Sequence, residues 1–131
     1  MITNRSVPPG VIIPELPYED VNEAAAWLCQ AFGFKERLRI GNHRCQLIFG
    51  QTSVVTVERT KPGTSFILMH VHDVDDCYER AKKFGAGIIR PPTDYPFGER
   101  QCTVEDLGGH HWTFSQTIAD VDPQDWGGEL V

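Results

Sequence analysis

The sequence predicts an α+β fold in which the order strand, helix, strand, strand, strand occurs twice. First, the chain repeats itself, because DVNEAAAWLCQAFGF (20–34) and DVDDCYERAKKFGAG (73–87) both open with Asp-Val and both contain Phe-Gly near their end. Second, each of these segments is preceded by one short apolar run and followed by three more. A repeat of about 50 residues is too small to bury a sheet face alone, so we expect the halves to close on one another or on a partner chain.

The two repeated segments are predicted to be amphipathic helices. In each, the opening aspartate can cap the first turn, the interior consists of good helix formers, and a glycine stands where a helix must end. Apolar side chains recur at helical spacing, which predicts one buried face per helix. These side chains are Ala24, Trp27, Leu28 and Ala31 in the first helix and Val74, Cys77, Ala81 and Phe84 in the second.

The apolar runs around the helices are predicted to be strands because they are rich in branched and large residues. They are VIIPEL before the first helix with FKERLRI, HRCQLIFG and TSVVTVER after it, and SFILMHV before the second with AGIIRPP, ERQCTVED and HHWTFSQT after it. Charge, proline and glycine in ERTKPGTS mark an exposed link between the copies. We predict a single domain with repeats at about 11–59 and 65–116, and a tail at 117–131 that forms an extended arm with Trp126 as its only anchor.

Composition narrows the classes of function. The net charge of −6 over 131 residues argues against nucleic-acid binding, and no apolar run approaches the length of a membrane span. The four cysteines form no CxxC pair, which favours free thiols over a zinc or redox site. Prolines at the N-terminus interrupt the apolar core that a secretory signal requires, so we expect a cytoplasmic protein. The acidic charge balance favours a neutral or cationic small-molecule ligand.

Three segments, PELPYEDVNEAAAWLCQAFGF, MHVHDVDDCYERAKKFGA and FGERQCTVEDLGGHHWTF, together resemble the vicinal oxygen chelate superfamily. That superfamily contains glyoxalase I, extradiol dioxygenases and bleomycin resistance proteins. The resemblance implies paired βαβββ modules whose sheets curl around a cup, with the helices outside and ligands inside. It also implies a homodimer.

In metal-using members of that superfamily, the ligands lie on the first and last strands of each module. The matching positions here are Ile13, Phe66 and Thr113, with the fourth near Val54 or Val55. Because none of these is His, Glu or Gln, the resemblance implies a metal-independent protein that sequesters an apolar or cationic compound between the repeats. The alternative is a metal-dependent lyase, isomerase or dioxygenase with a displaced ligand set, namely His70, His72, His111 and Glu15.

Strand alternation predicts which side chains line the cup. The adjacent His110 and His111 must point to opposite faces, so they cannot bind one metal, and we place His111 on the cup side and His110 on the helix side. Glu15 is either a ligand anchor or general base, or part of a salt bridge at the cup rim, for which Arg100 is the suggested partner. No catalytic residue is assigned. The predicted lining is Ile13, Glu15, Phe66, Leu68, His70, Arg100, His111, Thr113 and Ser115.

The proline-rich segment RPPTDYPFGE (90–99) is predicted to be a loop over the cup. Tyr95 and Phe97 in this loop are candidate lid residues, because aromatic rings can stack on a flat ligand. An equally good interpretation is that the two rings only hold the loop in place.

Overall fold

Each half of the chain forms one four-stranded sheet with a helix on one of its faces, in a computed structural model that describes residues 3–130. The chain divides into two units, of which the first ends at Thr64 and the second begins at Ser65. The first unit contains β1 (Glu15–Tyr18), α1 (Val21–Phe32), β2 (Lys35–Ile40), β3 (Arg44–Phe49) and β4 (Thr52–Glu58). The second contains β5 (Phe66–His70), α2 (Val74–Lys83), β6 (Gly87–Tyr95), β7 (Glu99–Glu105) and β8 (His111–Thr117). The predicted α+β class and the twice-repeated βαβββ order are confirmed.

The two sheets share one topology. Their strand orders are β1-β4-β3-β2 and β5-β8-β7-β6, and in each the first and last strands of the module pair in parallel. The registers also correspond. Glu15 and Leu68 each lie five residues before the aspartate that caps the following helix. Glu15 lies opposite Val55 in the first sheet, and Leu68 lies opposite Thr113 in the second. This correspondence makes Val55, rather than Val54, the counterpart of Thr113.

The helices begin and end where short-range chemistry places them. The Asp20 carboxylate accepts a hydrogen bond from the Glu23 N–H at 3.0 Å, and the Asp73 carboxylate accepts one from the Asp76 N–H at 3.1 Å. Gly33 ends α1 in the left-handed conformation, with φ at 84°. Within residues 3–130, no helix has the length and apolar content needed to cross a membrane.

One face of each sheet is buried under its helix and forms a core. In the first unit this core includes Leu16, Tyr18, Leu28, Cys45 and Leu47; in the second it includes Val74, Ala81, Cys102, Val104, Trp112 and Phe114. The opposite face of each sheet, which we call its open face, is the one that the helix does not cover. The candidate functional residues lie on the open face of the second sheet.

Two predicted element boundaries are wrong. The first strand begins at Glu15 rather than Val11, because residues before Pro14 cross the sheet face instead of continuing beside β4, as the bond from the Ser53 hydroxyl to the Pro9 carbonyl shows. The strand predicted over AGIIRPP also ends later than expected, because β6 continues past its two prolines to Tyr95, in the segment that was predicted to be a loop. Proline is tolerated there because β6 is an edge strand whose outer N–H positions need no partner.

The buried cysteines should be almost unreactive in the folded protein. All four cysteines are free thiols; burial, reinforced by a hydrogen bond to Glu36, raises the pKa of Cys45 to about 12, and burial raises the pKa of Cys102 to about 11. At pH 8 only about one Cys45 in ten thousand is therefore a thiolate. We expect iodoacetamide to label Cys45 and Cys102 at least 100-fold more slowly in buffer than in urea, as measured by peptide mass spectrometry. Rapid native labelling of Cys45 would contradict the burial of this thiol.

Candidate functional site

The two adjacent histidines lie on opposite faces of the second sheet, as predicted. His110 is fully buried, and its Nδ1 accepts a hydrogen bond from the Ser65 N–H at 2.9 Å. His111, at the start of β8, points to the open face, where its ring meets Phe66 edge to face with centroids 5.4 Å apart. His110 is thus a structural residue, whereas His111 belongs to the open face.

Two apolar side chains on the open face of the second sheet are exposed to solvent. Phe66 is 80% exposed and Leu68 is 68% exposed, and both project from β5 on the same side of the sheet because they are two residues apart. Single exposed apolar side chains are common, but neighbouring ones beside polar groups are typical of a binding surface. These two residues form the apolar part of the candidate site.

A row of hydrogen-bonded polar side chains lies beside this apolar part. Thr103 and Thr113 share a hydrogen bond of 2.9 Å across β7 and β8. Gln101 donates to the Ser115 hydroxyl at 2.9 Å, and that hydroxyl donates to the Glu99 carboxylate at 2.7 Å. The row is therefore ordered before any ligand arrives, which lowers the entropy cost of binding.

Each of two carboxylates on this face lies near a histidine. Glu99 lies 3.9 Å from the Nε2 of His70, and Glu105 lies 3.7 Å from the Nε2 of His111. The hydroxyl of Ser115 is the main reason that the pKa of Glu99 is lowered. Negative charge at Glu99 and Glu105 favours a neutral or cationic ligand.

An aromatic stack lies at the end of β6 and in the turn between β6 and β7. Tyr95 stacks on Phe97 with ring centroids 5.4 Å apart, and Phe97 lies against Trp126 at 5.3 Å. The hydroxyl of Tyr95 accepts a hydrogen bond of 2.6 Å from Arg90. Tyr95 belongs to β6 rather than to a loop, so the predicted lid is only partly a loop.

The C-terminal tail is attached by its backbone as well as by Trp126, which corrects the expectation of a single anchor. The N–H groups of Ile118 and Ala119 both donate to the Gly98 carbonyl, at 2.9 and 3.3 Å. A 3₁₀ helix over Pro123–Trp126 follows. The tail therefore packs on the turn between β6 and β7.

Replacing Gly98 with alanine should destabilise this packing. Gly98 has φ at 86°, and an added Cβ would overlap the Ala119 carbonyl oxygen. Gly85 has nearly the same φ, 87°, but open space around it, so Gly85→Ala is a matched control for backbone strain alone. We expect losses of about 2 to 4 kcal/mol for Gly98→Ala and about 1 to 2 kcal/mol for Gly85→Ala in urea denaturation. Equal losses would contradict close packing of the tail on this turn.

Three of the predicted lining residues do not belong to this face. Ile13 and Glu15 belong to the first unit, and Arg100 lies on the helix-covered face of β7. The suggested salt bridge between Glu15 and Arg100 is wrong, because Glu15 pairs with Arg44. Arg100 instead binds Asp75 and Asp94, at 3.0 and 2.9 Å.

The residues at the metal-ligand positions of the superfamily do not fit a metal. The side chains of Ile13, Val55 and Phe66 have no atom that could bind a metal. The Thr113 hydroxyl is hydrogen-bonded to the Thr103 hydroxyl.

Within the second unit, the histidines of the displaced ligand set do not converge either. His70 lies opposite Ser115, four residues along β8 from His111, which corresponds to about 13 Å. His72 lies beyond the end of β5 and is exposed. In the part of the chain that the structure describes, no three His, Cys, Asp or Glu side chains gather closely enough to hold a metal ion.

Four side chains of the open face were not predicted from the sequence. They are Glu99, Gln101, Thr103 and Glu105, all on β7. Strand alternation could have identified them, because in ERQCTVE they alternate with Arg100, Cys102 and Val104, which lie on the helix side.

Comparisons with known proteins agree with this architecture. A model of the Glyoxalase/Bleomycin resistance protein/Dioxygenase superfamily matches residues 11–114. The crystal structure of TioX from Micromonospora sp. ML1 is 32% identical over 83% of this chain and 99% of that chain, with a TM-score of 0.76. TnmS3, an antibiotic binding protein from Streptomyces sp. CB03234, is 25% identical over 82% of this chain and 95% of that one, with a TM-score of 0.71.

An uncharacterized protein of Mycobacterium bovis is 34% identical over 65 residues. The match covers 48% of this chain and 43% of that protein, so it spans less than half of the relative's length. The family model covers far more of the chain, including both helices and seven whole strands from β1 to β7. On that match and on the shared fold, the chain belongs to the glyoxalase, bleomycin resistance protein and dioxygenase superfamily.

Proposed function

We propose that this protein binds a small organic molecule on the open face of its second sheet and does so without a metal. The observation that carries the proposal is the exposure of Phe66 and Leu68 beside an ordered polar row. Burying these two side chains under a ligand releases water from apolar surface, which is the main driving force for binding such compounds.

The site's chemistry supports a flat, partly apolar ligand that is neutral or carries a positive group. The ring of Phe66, with the His111 imidazole against it, provides an apolar wall. Glu99 and Glu105 provide negative charge for a protonated amine. The likeness to TnmS3, described as an antibiotic binding protein, supports a small organic ligand.

Metal independence is part of the proposal. It is supported by three of the four positions where the resemblance places metal ligands, since Ile13, Val55 and Phe66 offer no side-chain donor atom. At the fourth position, the Thr113 hydroxyl is hydrogen-bonded to Thr103. The proposal also includes a homodimer, which the family resemblance supports, and a cytoplasmic location, which the four free thiols support.

The first test measures metal content by mass spectrometry on protein purified without chelator or affinity tag. A calorimetric titration with zinc, nickel and manganese follows, and then a thermal-shift screen of planar amines and matched neutral compounds. We expect no stoichiometric metal and at least one planar compound that raises the melting temperature. One tightly bound metal per chain that supports turnover would contradict the proposal and favour a lyase, isomerase or dioxygenase.

A further inference from the structure

The open face of the first sheet is covered by the chain's own N-terminal segment. Residues 5–10, RSVPPG, which we call the strap, cross this face on the side opposite α1. Three side chains of the sheet donate hydrogen bonds to strap carbonyls. These bonds run from Arg37 to Arg5 at 2.8 Å, from Gln46 to Ser6 at 2.8 Å and from Ser53 to Pro9 at 2.6 Å.

The three donors form a pre-arranged set. Gln46 and Ser53 are buried, with 4% and 2% exposure, although both lie on the face away from the helix. The second amino group of Arg37 donates to the Gln46 amide oxygen at 2.6 Å, so the amide nitrogen of Gln46 is turned toward the strap. Buried donors of this kind lose free energy without an acceptor, and the strap carbonyls supply one for each.

The sheet recognises the strap through its backbone carbonyls rather than its side chains. The side chains of Arg5, Ser6 and Val7 are exposed, and the prolines at 8 and 9 have no N–H to donate. An extended chain with carbonyls at the same spacing would satisfy the same donors. The contact is therefore selective for backbone geometry and tolerant of sequence.

The strap can leave without disturbing the core. It contains no helix or strand, and from residue 3 onward the first buried apolar residue is Leu16. Val11 and Ile12, which connect the strap to β1, are almost fully exposed. Few apolar contacts hold this segment, so its local opening costs much less than global unfolding.

We propose that Arg37, Gln46 and Ser53 form a second binding site, for an extended peptide chain, and that the strap is its resident occupant. A peptide-like ligand binds here by displacing the strap and taking over its three hydrogen bonds. This site lies in the first unit, and it does not depend on the function proposed for the open face of the second sheet.

The test uses a variant that lacks residues 2–10, which keeps every helix and strand, and the labelled peptide NRSVPPG with both ends capped. We expect the shortened protein to bind this peptide at least tenfold more tightly than the intact chain, in which the tethered strap competes at high effective concentration. In the shortened protein, Gln46→Leu should weaken binding at least tenfold. Gln101→Leu, on the second sheet, is the matched control and should leave binding unchanged. The peptide NASAPPG should bind within threefold of NRSVPPG, because the carbonyls are unchanged.

Equal binding to the intact and shortened proteins would overturn the proposal, as would binding that survives Gln46→Leu or no binding to a folded shortened protein. A measurement on the intact chain covers the case in which the shortened protein does not fold. Trypsin cleavage after Arg5 should be at least fivefold faster in Gln46→Leu than in Gln101→Leu, because the strap is released. Equal cleavage rates would overturn the proposal.

Discussion

Replacing Asp106 with alanine is expected to lower the free energy of unfolding by about 3 to 5 kcal/mol. The Asp106 carboxylate is buried and accepts three hydrogen bonds, from the N–H groups of Gly108 and His110 at 2.9 and 3.0 Å and from the indole N–H of Trp112 at 2.9 Å. It closes the turn between β7 and β8 and gives the buried indole its acceptor. Alanine leaves these three donors without that acceptor.

The matched control is Asp122→Ala, since Asp122 is an exposed aspartate whose carboxylate accepts one N–H, from Gln124. We expect this control to lose less than about 1 kcal/mol. Urea denaturation measures both variants, and a loss for Asp106→Ala within about 1 kcal/mol of the control would contradict the assigned role.

A double-mutant cycle isolates the contact between the carboxylate and the indole. In Asp106→Asn the amide oxygen keeps the two backbone N–H groups, so the amide NH₂ faces the Trp112 N–H and two donors meet. This conflict disappears in Trp112→Phe. The double variant should therefore be more stable than the sum of the single losses predicts, by about 1 to 2 kcal/mol.

Short-range patterns predicted the elements and the faces of the strands. Asp20 and Asp73 start the two helices because an N-cap interaction spans three residues and can be read locally. The opposite orientations of His110 and His111 followed from the two-residue period of a strand. Both kinds of prediction need only a few neighbouring residues.

Contacts between distant residues could not be predicted in the same way. The strap bonds join residues 32 to 44 positions apart, and the partner of Glu15, Arg44, lies 29 positions away. The partner of a charged side chain depends on the order and register of the strands. Neither can be read from local patterns in a single sequence. For this reason Arg100 was paired with the wrong acid, and the donor set beneath the strap was missed.

Phe66→Ser and Leu68→Ser should each weaken ligand binding at least tenfold while leaving the fold stable. The probe is 9-aminoacridine, a planar cationic dye whose fluorescence reports binding. Full burial of a Phe or Leu side chain contributes about 1.5 to 3 kcal/mol, and every factor of ten in affinity corresponds to about 1.4 kcal/mol. Because both side chains are already exposed in the free protein, their removal takes little from the core, and the melting temperature should change by less than about 2 °C.

Leu107→Ser provides the control for this experiment, because Leu107 is also exposed but lies in the turn between β7 and β8 rather than on β5. The control should leave dye affinity unchanged. It separates the effect of losing any exposed apolar side chain from the effect of losing one that contacts the dye. A further variant, Glu99→Gln, tests the role of charge. Removing this carboxylate should weaken binding of the cationic dye more than binding of a neutral acridine of the same shape. If both serine variants bind the dye as tightly as the unchanged protein, the open face of the second sheet is not the ligand site. If affinity falls together with the melting temperature, the exposed side chains support the fold instead.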